Sequence, residues 1–480
     1  MNFVGYLSSP WVYWTLTSTY VLSIITVIGV VIGENRNPLK SLAWVTVLLL
    51  LPAVGLVLYL FFGRSIKNRR MISRRNKRRL RRREQFNGGA RELEKLSDNN
   101  RQLARLARSL GAAYYPGNSL EIYNTGSEKF AALKRDLLSA RQFIHLQYYI
   151  FEDDTIGKEI ADILMERARA GVAVRVIYDH VGSLHVKNRF FKTMRQAGVD
   201  IQPFFKVTFP MLSSRLNWRN HRKIVVIDGK VGYIGGMNIA DRYITGAPKF
   251  ESWRDVHVRL TGPAVGSLQY SFAVDWNFMG QPLLEEQCDK QYSVSADTAA
   301  GIQTLTSGPM DRWHNMALLF HRAICGARKR VYLQTPYFLP TESLLKALQN
   351  AALSGVDVRV MIPHRSDSMM LVYASRSYIT ECLQAGVKFY FYEAGMLHSK
   401  VLIIDDNFST LGSTNFDYRS VEHNFEANML VYSEDVNARL QKIFLDDQKN
   451  STRIRPAQWR KRSLAHKAFE SILRLLSPIL

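Results

Sequence analysis

Cysteine is scarce in this chain: three among 480 residues, Cys288, Cys325 and Cys382, odd in number and far apart. Such a set forms neither a disulfide framework nor a metal-ligand spacing, so each is expected to be a small buried hydrophobe. Acidic residues are also short, 41 Asp and Glu against 64 Lys and Arg, leaving a net charge of +23. That balance calls for an anionic partner, whether nucleic acid, anionic lipid or both. Charge is missing altogether from residues 11–33 and 41–62, which are almost continuously apolar. Each run is long enough to span a bilayer as a helix. Neither has a polar face, which argues against a buried soluble hairpin. Pro52 and Gly55 interrupt the second run, as membrane helices tolerate. The first ten residues carry no positive charge and the first run is too long, so a cleaved signal peptide is disfavoured.

The short polar segment 34–40 makes the two runs a transmembrane hairpin within residues 1–63. Immediately after the hairpin the chain is dense in positive charge. Arg64, Lys67, Arg69, Arg70, Arg74, Arg75, Lys77, Arg78, Arg79, Arg81, Arg82 and Arg83 fall within twenty residues. Beside a membrane span, this run places the following domains on the cytoplasmic side of the cell membrane. It also favours anionic headgroups over nucleic acid as partner. Residues 64–109 are expected as a basic juxtamembrane linker.

From about residue 110 the composition is that of a globular protein, and length allows two to four domains in all. Residues 143–151 read as a strand, 156–170 as an amphipathic helix closed by Gly171, and 172–178 as the next strand. Residues 331–338, a helix through Leu353, and 356–362 repeat that order. The junction Arg169-Ala170-Gly171-Val172 recurs as Leu353-Ser354-Gly355-Val356, and Gln196-Ala197-Gly198-Val199 as Gln384-Ala385-Gly386-Val387. This is an internal duplication, 110–300 and 301–480, with an α/β sheet expected in each half. The first half has an insertion, 204–220, with Phe204, Phe205, Phe209, Met211, Leu212 and Trp218, which either touches acyl chains or packs on its own domain. Met369, Met370 and Leu371 raise the same question in the second. Residues 459–480 pair an apolar face, including Phe469, Ile472 and Leu473, with a basic one. That helix either lies in a membrane interface or docks on the last domain, docking being favoured.

The duplication carries a motif. His221, Lys223, Asp228, Gly235 and Asn238 recur at the same spacing as His398, Lys400, Asp405, Gly412 and Asn415. A single such His-Lys-Asp match arises by chance in roughly one chain in a few tens, and the double match is on the order of a thousand times rarer. Alternation puts His and Lys on one face of a strand. A histidine can displace one alcohol from a phosphodiester, and a second can protonate the leaving oxygen. Lys and Asn can hold the non-bridging oxygens, and Asp can orient an imidazole. Each copy supplies one His, so the two copies must meet at one site. Asp255 and Glu426, in the polar stretches after each copy, are expected to brace it. His257 and His423 are expected as hydrogen-bonded structural histidines.

This is the duplicated HKD motif, and the sequence resembles the phospholipase D superfamily. The two N-terminal spans, basic linker, duplicated halves and Arg474-Leu475-Leu476-Ser477-Pro478 resemble bacterial cardiolipin synthases over nearly the whole chain. The runs LLLLPAVG at 48–55 and FFGR at 61–64 look like that family's second span. The resemblance implies two phospholipase D-like βαβ domains sharing one active site. It implies phosphatidyl transfer between two phosphatidylglycerol molecules through a phosphohistidine on His221, with His398 as acid and base, and with no cofactor or metal. Other anionic phospholipids and the membrane are expected partners, nucleic acid is not. A membrane-bound phospholipase D or other phosphatidyltransferase, a nuclease more distantly, and a non-catalytic anionic-lipid-binding membrane protein are the alternatives.

Overall fold

The computed structural model describes residues 10–34, 38–51, 54–55, 59, 70–84, 89–206, 218–286 and 300–477. The chain divides into two units, Met1–Ile66 with Val207–Asn217, and Lys67–Lys206 with Trp218–Leu480. In the first unit, the helix Pro10–Glu34 covers the predicted run 11–33, and the helix Pro38–Leu50 covers part of the run 41–62. The hydroxyls of Thr15, Thr19, Ser23 and Thr26 each bond the carbonyl four residues earlier, so the helix backbone satisfies these four groups. Much of the second run lies outside the described residues. Among the described residues no helix is both long and apolar enough to cross a membrane.

The second unit holds both halves of the duplication. Strands of the first half are β1 (Tyr115–Tyr123), β2 (Phe143–Tyr148), β3 (Ala173–Asp179), β4 (Asp200–Phe204), β5 (Ile224–Ile227), β6 (Val231–Gly235), β7 (Trp253–Arg254) and β8 (His257–Thr261). Those of the second are β9 (Ala300–Ser307), β10 (Arg330–Gln334), β11 (Phe338–Leu339), β12 (Asp357–Pro363), β13 (Lys388–Tyr392), β14 (Met396–Leu397), β15 (Val401–Ile404), β16 (Phe408–Gly412), β17 (Phe416–Asp417), β18 (Glu426–Tyr432) and β19 (Ser451–Arg453).

The sequence predicts a sheet in each half. Among the described residues the structure fuses them into one sheet of 15 strands, in the order β19-β13-β12-β10-β15-β16-β18-β9-β1-β8-β6-β5-β2-β3-β4. The seam is the antiparallel pairing of β1 with β9, Tyr115 opposite Ile302 and Asn118 opposite Ala300. Counted outward from that seam, β1, β8, β6, β5, β2, β3 and β4 match β9, β18, β16, β15, β10, β12 and β13. In each half three parallel strands carry crossover helices, and an antiparallel hairpin follows. The hairpin strands β5 and β15 are buried along their whole length, which explains their unbroken Ile, Val and Leu. The helix Thr155–Arg169 starts at Asp154, whose carboxylate accepts from Gly157 N, and buries Ile156, Ile160 and Leu164.

The basic stretch expected as a linker carries packed structure. The helix Arg74–Glu84 packs on the helix Val265–Phe278, with Ile72 and Leu80 buried against Phe272 and Trp276. The helix Asp98–Ser109 buries Leu103, Ala104 and Ala107 in the core of the second half. Cys382 is buried as expected, but Cys325 is exposed, at the end of the amphipathic helix Asn315–Cys325 on its outer face; Cys288 lies outside the described residues.

Candidate active site

The two motif segments face each other because each pairs with backbone of the opposite half. His221 N donates to Phe425 O at 2.9 Å, and Phe425 N to Arg219 O at 2.8 Å. In the mirror arrangement His398 N donates to Arg254 O at 2.7 Å, and β14 pairs in parallel with β7. The stretch after each hairpin therefore serves the other half's histidine.

That crossing delivers a carboxylate to each imidazole. His221 Nδ1 lies 3.1 Å from Glu426 and 3.0 Å from Ser413 O. His398 Nδ1 lies 2.6 Å from Asp255 Oδ2. A carboxylate at Nδ1 puts the proton there and leaves the lone pair on Nε2. Asp255 and Glu426, expected from sequence to brace the site, are both fully buried, and both do so from the half opposite their histidine. The glycines explain how the carboxylates fit. A Cβ on Gly236 would sit 2.2 Å from Asp255 Oδ1, so only glycine leaves room there. The second copy has Ser413 at this place, and its hydroxyl bonds the longer Glu426 instead.

Lys223 and Lys400 are buried beside the histidines, with Lys223 Nζ donating to His221 O at 2.6 Å and Lys400 Nζ to His398 O. Lys400 Nζ also pairs with Asp255 Oδ2 at 3.8 Å. Burial lowers both lysines, with Glu426 and Asp255 opposing. Burial also lowers both histidines. The Lys400 ammonium adds to this at His398 against Asp255, while at His221 the Glu426 carboxylate opposes and both lysines add. Burial alone would raise Glu426, but His221, Lys223 and the Ser413 hydroxyl hold it below the usual carboxylate range. Each lysine thus acts on the other half's groups, which makes the two copies one electrostatic site.

Asn238 and Asn415 flank this cluster and are buried. Asn238 Oδ1 accepts from Ile150 N at 3.2 Å, and its Nδ2 donates to Tyr243 OH at 3.0 Å. Asn415 Oδ1 has no partner among the described residues. Asp228 and Asp405 are corrections. They were expected to orient groups at the site, but each caps the far end of its strand. Asp228 accepts from the backbone N–H of Arg141, Gln142 and Phe143 at 2.8, 2.8 and 2.9 Å. Asp405 does the same for Arg328, Lys329 and Arg330. Both have φ of 50°, a left-handed turn position that Asp tolerates better than most residues. Five residues of strand from Lys223 to Asp228 span roughly 17 Å, too far to touch an imidazole. His257 is a second correction: it is fully buried, yet neither ring nitrogen has a partner among the described residues.

Several supporting groups escaped sequence reasoning. Tyr243, of the first half, is buried with its hydroxyl 3.5 Å from His398 Nδ1. Tyr149 stacks edge-on to His221, ring centres 4.9 Å apart. Asp275 binds Gln147, Asn220 and Arg222, and Asp447 binds Gln334 and Arg254. The signal for the last set was available: Leu146-Gln147 and Leu333-Gln334 occupy matching places in β2 and β10.

Known proteins resemble this chain. The family profile described as "Cardiolipin synthase, PLD-like domain" matches residues 133–265 and 320–448, one match per half. A "Phospholipase D-nuclease N-terminal" profile matches residues 21–64. The chain is 40% identical to cardiolipin synthase 2 of Bacillus cereus over 94% of its length and 89% of that protein's. It is also 40% identical to the cardiolipin synthase of Halalkalibacterium halodurans, over 98% of this chain and 96% of that one. The fold is similar to that of phosphatidylserine synthase from Haemophilus influenzae Rd KW20, with a TM-score of 0.59 at 14% identity, covering 78% of this chain and 99% of that one. Two matched phospholipase D-like halves and relatives alike along nearly their whole length show that the chain belongs to the bacterial cardiolipin synthases, phosphatidyltransferases of the phospholipase D superfamily.

Proposed function

We propose that this enzyme joins two phosphatidylglycerol molecules into cardiolipin, releasing glycerol, by way of a phosphohistidine. The observation that supports this best is the crossed pairing of Glu426 with His221 and of Asp255 with His398, which leaves both Nε2 atoms as reacting groups. His221 is assigned as the nucleophile by likeness to the superfamily's first-copy histidine. Its Nε2 attacks phosphorus of the first lipid, a P–N bond forms, and the P–O bond to the headgroup glycerol breaks. His398 gives its proton to the departing oxygen. It then takes the proton of the second lipid's free glycerol hydroxyl, which attacks phosphorus and breaks the P–N bond, and the cycle is reversible. Lys223, Lys400, Asn238 and Asn415 hold the non-bridging oxygens. An anionic phosphodiester between the lysines offsets the Lys400 charge that, after burial, holds His398 low, so His398 gains proton affinity when substrate binds.

The domain division follows the duplication, with the 1–63 hairpin in the cell membrane and the catalytic halves on the cytoplasmic side. Trp11, Trp14, Leu22 and Ile25 support membrane placement, being 83%, 64%, 65% and 60% exposed on one helix, an apolar surface that demands a cover. Purified enzyme given phosphatidylglycerol is expected to yield cardiolipin and glycerol in equal amounts by mass spectrometry. Phosphatidic acid as the main product would overturn the reading in favour of a hydrolase.

A further inference from the structure

The C-terminal helix, Leu464–Leu475, is docked on one side only. Leu473 and Glu470 are buried, Arg462 pairs with Glu470, and the helix packs on the helix Met369–Ser377. The docking favoured from sequence is therefore present, but it uses little of the apolar face. Leu464, Phe469, Ile472 and Leu475 remain 82%, 48%, 60% and 80% exposed. With exposed Ala465 and Ala468 they fall at three- and four-residue intervals, so they form one continuous stripe about 140° wide. A stripe of that size on a folded body marks an interaction surface.

Two further observations say what it meets. Arg453, Arg455, Arg460 and Lys461, in the stretch of chain leading into the helix, are all exposed, so the apolar stripe follows a cationic segment. That combination suits an anionic leaflet, with apolar side chains among the acyl chains and cations at the headgroups. The stripe also leads to the active site. Phe469 lies edge-on to Tyr373, 5.2 Å between ring centres, on the neighbouring helix. That helix begins with Met369 and Met370, 63% and 45% exposed. Two residues earlier Asp367 accepts from Tyr337 OH at 2.8 Å, and its charge acts on both His398 and Lys400.

We propose that Leu464, Phe469, Ile472 and Leu475, with Met369 and Met370, form a membrane-docking face that seats the catalytic body on an anionic leaflet and opens the His398 side of the site to it. This role rests on the reading of the enzyme as one that acts on membrane lipids. A lipid held in a leaflet must leave it only as far as its phosphate, and a docked ridge beside the site shortens that path.

Full-length enzyme in nanodiscs of phosphatidylglycerol and phosphatidylcholine, carrying a lipid with a photoreactive group in its acyl chain, tests this. Adducts are expected on the 464–475 and 369–370 peptides and not at Leu353, an apolar side chain 73% exposed elsewhere on the body. The double variant Ile472→Glu with Leu475→Glu should raise KM for bilayer phosphatidylglycerol about tenfold or more, since each side chain contributes through buried apolar area. It should leave kcat, and both constants for monomeric short-chain phosphatidylglycerol, unchanged. Equal labelling at Leu353, no change of KM in bilayers, or an equal rise with the monomeric lipid would overturn the proposal. Chain-to-chain cross-links through the stripe would instead assign it to a second copy and overturn it too. Labelling is read without turnover, so absence of cardiolipin production would sink the proposed reaction while leaving the docking face decided separately.

Discussion

Asp255→Asn isolates the crossed carboxylate. Asn keeps the volume of Asp but has one oxygen, so Val256 N, now bonded to Asp255 Oδ1 at 2.7 Å, keeps its acceptor only when the amide N–H faces the ring. What is lost is charge. The 2.6 Å bond from His398 Nδ1 becomes a neutral one, or is reversed if the amide turns its N–H toward the ring. A charge-assisted bond of this kind contributes about 1.5–3 kcal/mol, and that contribution grows as the imidazole takes a proton. A reversed amide also moves the imidazole proton to Nε2 and removes the lone pair. Together these should lower kcat by roughly two to four powers of ten, the scale seen when a buried carboxylate that fixes a catalytic imidazole is lost. KM should change little, because Asp255 faces the ring and not the lipid. Cardiolipin formation under initial-rate conditions, with circular dichroism and a melting curve to confirm folding, gives the comparison. Glu426→Gln should behave alike through His221. Activity above about a tenth of wild type in a folded Asp255→Asn enzyme would refute the positioning role.

Asp228→Ala should act on stability instead. It removes three hydrogen bonds and puts Ala at φ of 50°, costing roughly 3 kcal/mol, so Tm should fall while kcat of the folded enzyme stays near wild type. Gly236→Ala, with its Cβ 2.2 Å from Asp255 Oδ1, should cut kcat by at least tenfold with no loss of expression, read in the same assay. The depressed histidines set a pH dependence: unfolded His binds protons below about 6.5, while burial makes folded His221 and His398 bind them more weakly, so denaturant stability should fall as pH drops from 6.5. In intact cells, a cysteine placed within residues 34–40 should react with an external thiol reagent and one near Met1 should not; the reverse pattern would overturn the proposed topology.

Much of the site was legible in the sequence because duplication doubles the signal. The spacing shared by His221 to Asn238 and His398 to Asn415 located both histidines and both lysines, and polar density after each hairpin located Asp255 and Glu426. What stayed hidden was direction. Nothing in sequence says that Glu426 serves His221 and Asp255 serves His398, because that depends on β1 joining β9 and fusing two sheets. Asp228 and Asp405 misled for a related reason: the spacing kept them in the motif, but strand geometry carries them to the opposite end, where a left-handed turn is their constraint. Tyr243 was out of reach because it reaches His398 of the other half from a short helix, Arg242–Thr245, that carries no part of the repeated motif. The basic stretch before residue 110 read as linker because charge dominates its composition, while the few residues that pack, such as Leu80 and Leu103, decide its structure.

The central claim is one site built from two copies, working through a phosphohistidine. It is tested most directly by trapping the lipid on the enzyme. His398→Ala enzyme, given a phosphatidyl donor whose leaving group needs no proton, is expected to accumulate an acid-labile, base-stable adduct on the peptide containing His221. His221→Ala should accumulate none with any donor. No adduct in the His398 variant, or an adduct on a residue outside these two histidines, would contradict it.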